Sequence, residues 1–361
     1  MDFGVIINSP TCRYHLDHFR HSNTKEWSIY EDHSYFLNFN HKKNVAVLHW
    51  PYPSDPNFGN IVNEIYDKCD RLFIIITEVH QASLQFMQLF DREKITFYIA
   101  GFLPTPLEHA KVKEYHDWFN TTCYFYKEYL PEIVSRIKYS EPKKQYFDAL
   151  LGRKKPHRDA VYRYMHERLD RDQHIVRYFN TYDAFVKEDD TRWSFEYPGL
   201  KKHETLSWTV DHVEYYGHVM SVSQIVPIDI YNRTAYSVVA ETNWASDYIF
   251  YTEKTVKPII GKRLFVMFGG RHYLKFLREK MGFLTFDGII DESYDNEEDD
   301  DIRFLKACKQ IDWLSKQDQV EILDKVKPIV EHNFNQLMRR NWRQEFLTSL
   351  EEDIIEYLQQ T

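Results

Sequence analysis

Cysteine is scarce in this chain: Cys12, Cys69, Cys123 and Cys308 are the four present among 361 residues, and no two of them form a CxxC pair. That usage argues against a structural zinc site and suits a reducing compartment. Long apolar runs are missing too. LFIIIT (72–77) and LFVMF (264–268) are strand-sized, far short of the about 20 residues that cross a bilayer. The opening stretch, MDFGVIINSP, lacks the basic segment followed by an apolar one that marks a signal peptide. The expectation is a cytoplasmic protein in which the Asn120 and Asn232 sequons carry nothing.

A basic excess is also lacking. The net charge is −9, and eight of the eleven residues in DESYDNEEDDD (291–301) are acidic. This stretch reads most simply as a solvated surface loop, with a structural role for DESYD at its start as the alternative, and without it the chain is close to neutral. A nucleic-acid binder usually carries a basic field, so the charge balance counts against one. No GxxxxGK[ST], GxSxG or HExxH is present, and no GxGxxG follows the first strand, which removes the usual signatures of P-loop enzymes, serine hydrolases, zinc proteases and dinucleotide binders. His15, His18 and His21 lie close together in sequence, as a metal cluster or as exposed loop residues.

The chain does have enough apolar material, 43% with 16% aromatic, to fill two cores. Its length exceeds the roughly 250–300 residues at which single cores stop growing. Strand-like and helix-like stretches alternate. FGVII, Val45–His49, Leu72–Thr77, Ile95–Gly101 and TCYFY (122–126) read as strands, and Asn60–Lys68 and Gln81–Phe90 as helices. The pattern restarts after the basic punctuation SEPKK and GRKKPH. Helix Arg158–Leu169 is followed by strands Ile175–Phe179 and Tyr236–Ala240, a helix from Thr252, strand Leu264–Phe268 and helix His272–Lys280. Helices Ile302–Leu314, Gln317–Asn333 and Trp342–Leu358 close the chain. The prediction is an α/β fold of two Rossmann-like domains, 1–145 and 146–340, with residues 341–361 as a helix returning toward the first.

Open α/β sheets bind ligands beyond the carboxyl ends of their strands, where helix N-termini attract anions. Two places fit. YSVVAETN (236–243) leads to a helix start at Thr252, Glu253 and Lys254. In the plain reading Thr252 caps the helix, Glu253 complements its dipole and Lys254 is solvated; in the other, they hold something anionic. The second place is IIITEVHQ (74–81), where Glu78 and His80 stand just past a buried strand.

The segment ETNWASDYIFYTEKTVKPIIGKRLFVMFGG (241–270) resembles the donor-binding segment of alpha-(1,3)-fucosyltransferases, which have a Glu-Asn, a short spacer, a Tyr-x-Thr-Glu-Lys block, and a helix and strand ending in Gly. TEKTVKPI, GFLTFDGIIDESYD and RFLKACKQID also resemble glycosyltransferase-like proteins of large phages and marine viruses. The likeness covers mainly residues 147–310. It implies a GT-B architecture, two Rossmann-like domains facing a cleft, with a nucleoside diphosphate sugar bound by the second. Glu253 would accept from the ribose hydroxyls, Lys254 would pair with the diphosphate, and Arg158 would face phosphate, with Arg153 and Lys155 as weaker neighbours. Glu241, Asn243, Tyr248, Tyr251 and Thr252 complete the donor segment. The chain departs from the pattern in having Thr242 between Glu241 and Asn243, and in the longer spacer DYIFY. Which of Tyr248, Phe250 and Tyr251 would lie against the nucleotide is left open, and the sugar is not inherited.

The implied reaction is inverting transfer to an acceptor hydroxyl, needing a general base from the first domain, for which Glu78 and His80 are candidates. The acidic triplets DRD (170–172) and DDD (299–301) lack the preceding apolar strand of a metal-binding Asp-x-Asp, so no metal cofactor is expected. Trp208 and Trp244 would stack on sugars or bases, or be core. The acceptor is read as a glycan or saccharide. The viral likeness admits a hydroxymethylated base in DNA, in the cytoplasm of a host, with a groove built from Lys42, Lys43, Lys127 and Lys138. A module that binds nucleotide sugar or glycan without catalysis is the reading from another class.

Overall fold

The computed structural model describes residues 3–8, 27–30, 42–50, 56–153, 155–179, 200–202 and 212–360. Cys12, the histidines 15, 18 and 21, and Trp208 lie outside them. The chain divides into two compact units, one of residues 1–117, 247–250 and 341–361, the other of residues 118–246 and 251–340. Residues 118–145, read from sequence as part of the first domain, group with the second unit. Among the described residues no helix is long and apolar enough to cross a membrane.

The first unit is built on β1 (Phe3–Asn8), β2 (Trp27–Tyr30), β3 (Lys43–Trp50), α1 (Pro56–Tyr66), β4 (Arg71–Ile76), α2 (Gln81–Leu89), β5 (Ile95–Ile99), β6 (Gly101–Phe102) and β7 (Lys111–Glu114). Six of these strands form one parallel sheet in the order β2-β1-β3-β4-β5-β7. Leu72–Ile76 and all of β5 are buried without a break, as expected where both faces of a parallel sheet are covered. The strand Ile249–Phe250 pairs antiparallel with β6, and Gly101 permits it, since a Cβ there would overlap the Ile249 carbonyl oxygen. The C-terminal helix, Trp342–Gln359, also belongs here. Tyr98 donates to Asp353 at 2.6 Å, Lys113 meets the other oxygen of that carboxylate at 2.6 Å, and Phe346 stacks on Tyr115 at 4.4 Å.

The second unit comprises α3 (Asp117–Glu128), α4 (Pro131–Ser135), β8 (Gln145–Arg153), α5 (Pro156–Arg168), β9 (His174–Phe179), the antiparallel ribbon β10 (Leu200–Lys202), β11 (His212–Tyr215) and β12 (His218–Ser221), then α6 (Ile228–Arg233), β13 (Thr234–Ala240), α7 (Glu253–Ile260), β14 (Phe265–Phe268), α8 (Tyr273–Glu279), α9 (Asp300–Leu314) and α10 (Gln319–Arg339). Its parallel sheet runs β9-β8-β13-β14. Counted in chain order within each sheet, this is 2-1-3-4, the same winding as β2-β1-β3-β4 in the first unit. Both units are therefore α/β folds with parallel sheets, in a strand order compatible with Rossmann-like folds.

Two expectations are corrected. TCYFY is not a strand: it lies in α3, where Phe119, Cys123 and Tyr126 are buried at helical spacing. The β-preference of its aromatics gives way to the period of its apolar positions. The acidic stretch is not simply a solvated loop. Glu292 and Asp295 are buried, Asp295 accepting from the first N–H groups of α8, those of Leu274 (2.9 Å) and Lys275 (2.8 Å). Asp299 caps α9, Glu297 pairs with Lys306 at 2.6 Å, and Asp300 pairs with the buried Arg303 at 2.6 Å. Carboxylates at helix starts answer unsatisfied N–H groups and the dipole together.

Candidate functional site

In a sheet wound 2-1-3-4 the neighbouring first and third strands lead to helices on opposite faces, and the crevice beyond their carboxyl ends is the usual ligand position. In the second unit those strands are β8 and β13. β8 runs through Gly152 into the start of α5, and β13 runs into Glu241–Ser246, so Lys155, His157, Arg158, Glu241 and Thr242 meet at that point. Pro156 opens α5 with its φ preset for the first turn.

Glu241 organises the site. Its carboxylate is fully buried and is surrounded by five donors: the Thr242 and Thr252 amides at 2.8 and 3.0 Å, and the hydroxyls of Thr252, Thr255 and Tyr273 at 2.7, 2.7 and 2.9 Å. Its carbonyl oxygen accepts from His157 Nε2 at 2.8 Å and from Arg158 at 3.1 Å. One residue thus fixes the loop after β13, the start of α5 and the start of α7. Burial, with Arg158 beside it, pushes His157 down to about 3, so near neutrality its ring is neutral with the proton on Nε2.

At the start of α7 Thr252 caps the helix, its hydroxyl accepting from the Lys254 amide. The plain reading of Thr252 and Glu253 is therefore part of the structure, but Lys254 does not reach into solvent. Its ammonium meets Glu253 Oε1 at 2.5 Å and Thr242 Oγ1 at 3.2 Å. Burial works against the Glu253 charge, yet Lys254 and Lys257 hold the carboxyl below its ordinary value. Burial pushes Lys257 down to about 8 against the pull of Glu253, with Lys254 pressing the same way as burial. Lys155 donates to the Thr242 carbonyl at 2.6 Å. Lys155, Arg158 and Lys254 therefore gather around two helix N-termini with Glu253 among them, and Lys257, one turn further along α7, acts on the Glu253 charge.

The 241–246 loop is held in shape by its own contacts. Asn243 closes on Ala245, accepting from its amide at 3.1 Å and donating to its carbonyl at 2.9 Å. Trp244 stacks near-parallel to His157 at 5.8 Å, and the Arg303 guanidinium lies 4.5 Å from its ring centre. Arg303 also donates to the Trp244 carbonyl at 3.3 Å. The Gly pair after β14 has a local cause: a Cβ on Gly270 would overlap the Ala245 carbonyl oxygen, and one on Gly269 would crowd the Tyr273 ring at 2.8 Å.

Of the residues singled out in the sequence, Arg158, Glu241, Asn243, Thr252, Glu253 and Lys254 are brought together. Tyr251 is core, its ring 4.5 Å from that of Tyr273 and its hydroxyl donating to the Tyr273 carbonyl at 2.8 Å. Tyr248 belongs to the first unit, where burial pushes its hydroxyl up to about 12. Glu78 and His80 are half-buried past the carboxyl end of β4. Ser83 donates to the Glu78 carbonyl at 2.6 Å, and His80 occupies the N-cap of α2 in extended conformation, its side chain making no cap bond. Beside them His49 lies 2.6 Å from the Thr77 hydroxyl, to which Tyr115 also donates at 3.1 Å, and burial lowers His49 to about 4. Lys43, expected in a DNA groove, instead donates to the last carbonyls of the C-terminal helix, Tyr357 and Leu358, at 3.1 and 3.2 Å.

His157, Thr255, Lys257, Tyr273 and Arg303 were not legible as site residues. Thr255 and Lys257 carry a signal, standing one turn beyond Thr252 and Glu253 on the same helix; Tyr273 and Arg303 reach the site from distant elements. Among the described residues no group of three or more His, Cys, Asp or Glu side chains is placed to hold a metal ion. No family model, no curated protein and no solved structure matches the chain.

Proposed function

We propose that the second unit binds the diphosphate of a nucleoside diphosphate sugar and that the protein is an inverting glycosyltransferase acting on a glycan or saccharide hydroxyl. The observation that carries this reading is the gathering of Lys155, Arg158 and Lys254 at the N-termini of α5 and α7, beyond the carboxyl ends of β8 and β13, with Glu253 among them and Lys257 one turn further along α7. Two helix dipoles and four cations offer a diphosphate its counter-charge without a metal. Glu253 offers an acceptor to a ribose cis-diol. On binding, Lys254 exchanges Glu253 Oε1 for a phosphate oxygen, which turns the Glu253 carboxylate to the sugar hydroxyls. The likeness of 241–270 to fucosyltransferase donor segments supports the same assignment.

In the transfer step the acceptor oxygen attacks the anomeric carbon as the bond to the diphosphate breaks. The cations stabilise the charge gathering on the leaving group, and a base removes the acceptor proton. Glu78 and His80, at the carboxyl end of β4, are the proposed base and its neighbour.

The test is a thermal-shift screen of UDP-, GDP-, CMP- and dTDP-sugars on wild type and Lys254→Ala. A donor at a hundredfold excess over its Kd stabilises the protein by about 2.7 kcal/mol. If no nucleotide shifts Tm, or if Lys254→Ala responds as wild type does, the donor-site assignment is wrong. Hydrolysis of the stabilising donor, lost in Glu78→Gln or His80→Ala, separates an enzyme from a binding module.

A further inference from the structure

The opposite end of α7 borders a cavity of about 390 Å³ within the second unit, in the range of roughly 300–1,000 Å³ typical of small-molecule sites. It is separate from the donor site: seven residue steps of helix, about 10 Å at 1.5 Å per residue, lead from Glu253 to Ile260. Val134, Ile137, Ile260 and Met338 give it an aliphatic wall, Tyr139 and Phe334 an aromatic one. Its lining carries two lysines, Lys127 and Lys262, and no carboxylate.

Lys262 is unusual on independent grounds. α7 ends in paired bonds from the Lys262 amide to the Ile259 carbonyl (3.1 Å) and from the Arg263 amide to the Pro258 carbonyl (3.0 Å). That pattern places Lys262 at the left-handed position where glycine is the ordinary choice, and its φ is 50°. A side chain costs on the order of 1 kcal/mol there. The lysine that occupies it holds its ammonium 4.5 Å from the Tyr139 ring centre and 4.6 Å from that of Phe334. Tyr139 is itself fixed, donating to Glu331 at 2.6 Å. A strained backbone thus presents one ammonium, flanked by two aromatic faces, at the wall of an apolar cavity.

We propose that this cavity binds a small aliphatic monocarboxylate, its chain against Val134, Ile137, Ile260 and Met338 and its carboxylate on Lys262. A phosphate head prefers the bidentate fork of an arginine, and no arginine belongs to the lining side chains. An uncharged head leaves the ammonium without a counter-charge in apolar surroundings.

The probes are decanoate and, as its uncharged counterpart, 1-decanol, both below micellar concentrations, titrated into the full chain by calorimetry and followed by thermal shift. Decanoate is expected to bind and raise Tm, and decanol to bind at least tenfold more weakly. Lys262→Gly places the favoured residue at the left-handed position, so it keeps or raises the unliganded Tm while decanoate affinity falls tenfold or more. Val134→Trp, filling the cavity from a half-buried position, abolishes binding by a separate route. Lys254→Ala leaves decanoate binding intact. The proposal is overturned if decanoate fails to bind wild type, if decanol binds as well, or if either Lys262→Gly or Val134→Trp binds decanoate as tightly as wild type.

Discussion

Arg263 and Asp148 form an ion pair of 2.6 Å with both side chains 2% exposed. The guanidinium is fully engaged: it also donates to the Ser237 and Thr234 hydroxyls and to the Tyr231 and Thr234 carbonyls at 2.7–3.0 Å. The pair ties β8, β13 and the approach to β14 together at the end of the sheet away from the candidate site. Burial pushes the Asp148 carboxyl up, with Arg263 opposing. Removing one partner of such a pair costs about 3–5 kcal/mol. Arg263→Leu is expected to lower stability by that amount at pH 7 and by less at pH 5. Without the cation Asp148 keeps its proton in the folded state above the pH at which the unfolded chain loses it, so the loss grows as pH rises. Urea unfolding at the two pH values measures it, and an equal loss at both would contradict the account.

Glu241→Gln keeps the shape of the side chain but turns an amide NH₂ toward a backbone amide that can only donate, Thr242 at one oxygen position or Thr252 at the other. Leaving buried donors without an acceptor costs about 1–3 kcal/mol, and the change loosens the start of α7. The expected outcome is a fall in stability of that size together with at least a tenfold weaker nucleotide affinity. A variant that loses stability while keeping full affinity would show that Glu241 does not position the donor site.

Glu292 gives a pH signature of its own. Burial raises its carboxyl from 4.5 to about 7, against the pull of Thr285, the Phe286 amide and Arg278. Between those values the folded protein keeps a proton that the unfolded chain releases. Its contribution to stability is therefore complete below pH 4.5 and declines as pH rises to 7, by about 3 kcal/mol. The cost of Glu292→Gln is expected to be larger at pH 4.5 than at pH 7.5 by that amount. Paired denaturation curves for wild type and variant isolate it, because other titrating groups cancel in the difference.

Lys257, lowered to about 8 by burial, is partly deprotonated in mildly alkaline solution. A diphosphate bound at the start of α7 would raise its pKa again. Binding of the stabilising nucleotide at pH 8.5 is expected to take up protons, and Lys257→Met to take up fewer. Titration calorimetry in phosphate and in Tris, whose ionisation enthalpies differ, reads the uptake directly. An unchanged uptake in the variant would place the diphosphate elsewhere.

Periodicity and continuous apolar runs made most strands and helices legible, since burial on both faces leaves a plain mark on β4 and β5. Local chemistry made the start of α7 legible in the same way: Thr252 as cap and Glu253 in the first turn need only near neighbours. TCYFY misled because three aromatics in five residues suggest a strand, while the partners that bury Phe119, Cys123 and Tyr126 lie elsewhere. The acidic run misled for a related reason. Sequence shows eight carboxylates close together but not the N–H groups of α8 and α9 that donate to two of them, Asp295 and Asp299. Glu241 is the sharpest case. Its place in a familiar-looking segment suggested ligand contact, whereas four of its five donors, from Thr252, Thr255 and Tyr273, lie eleven or more residues onward and leave the carboxylate enclosed.

The first unit is assembled from three separate stretches of chain, the last of them the C-terminal helix, whereas the second is complete at residue 340. On the ribosome, where domains fold as they emerge, the order of completion is therefore the reverse of the order of beginning. The sheet whose strands are made first waits, with Tyr98 and Tyr115 lacking Asp353 and Phe346, until translation has passed the whole of the second unit.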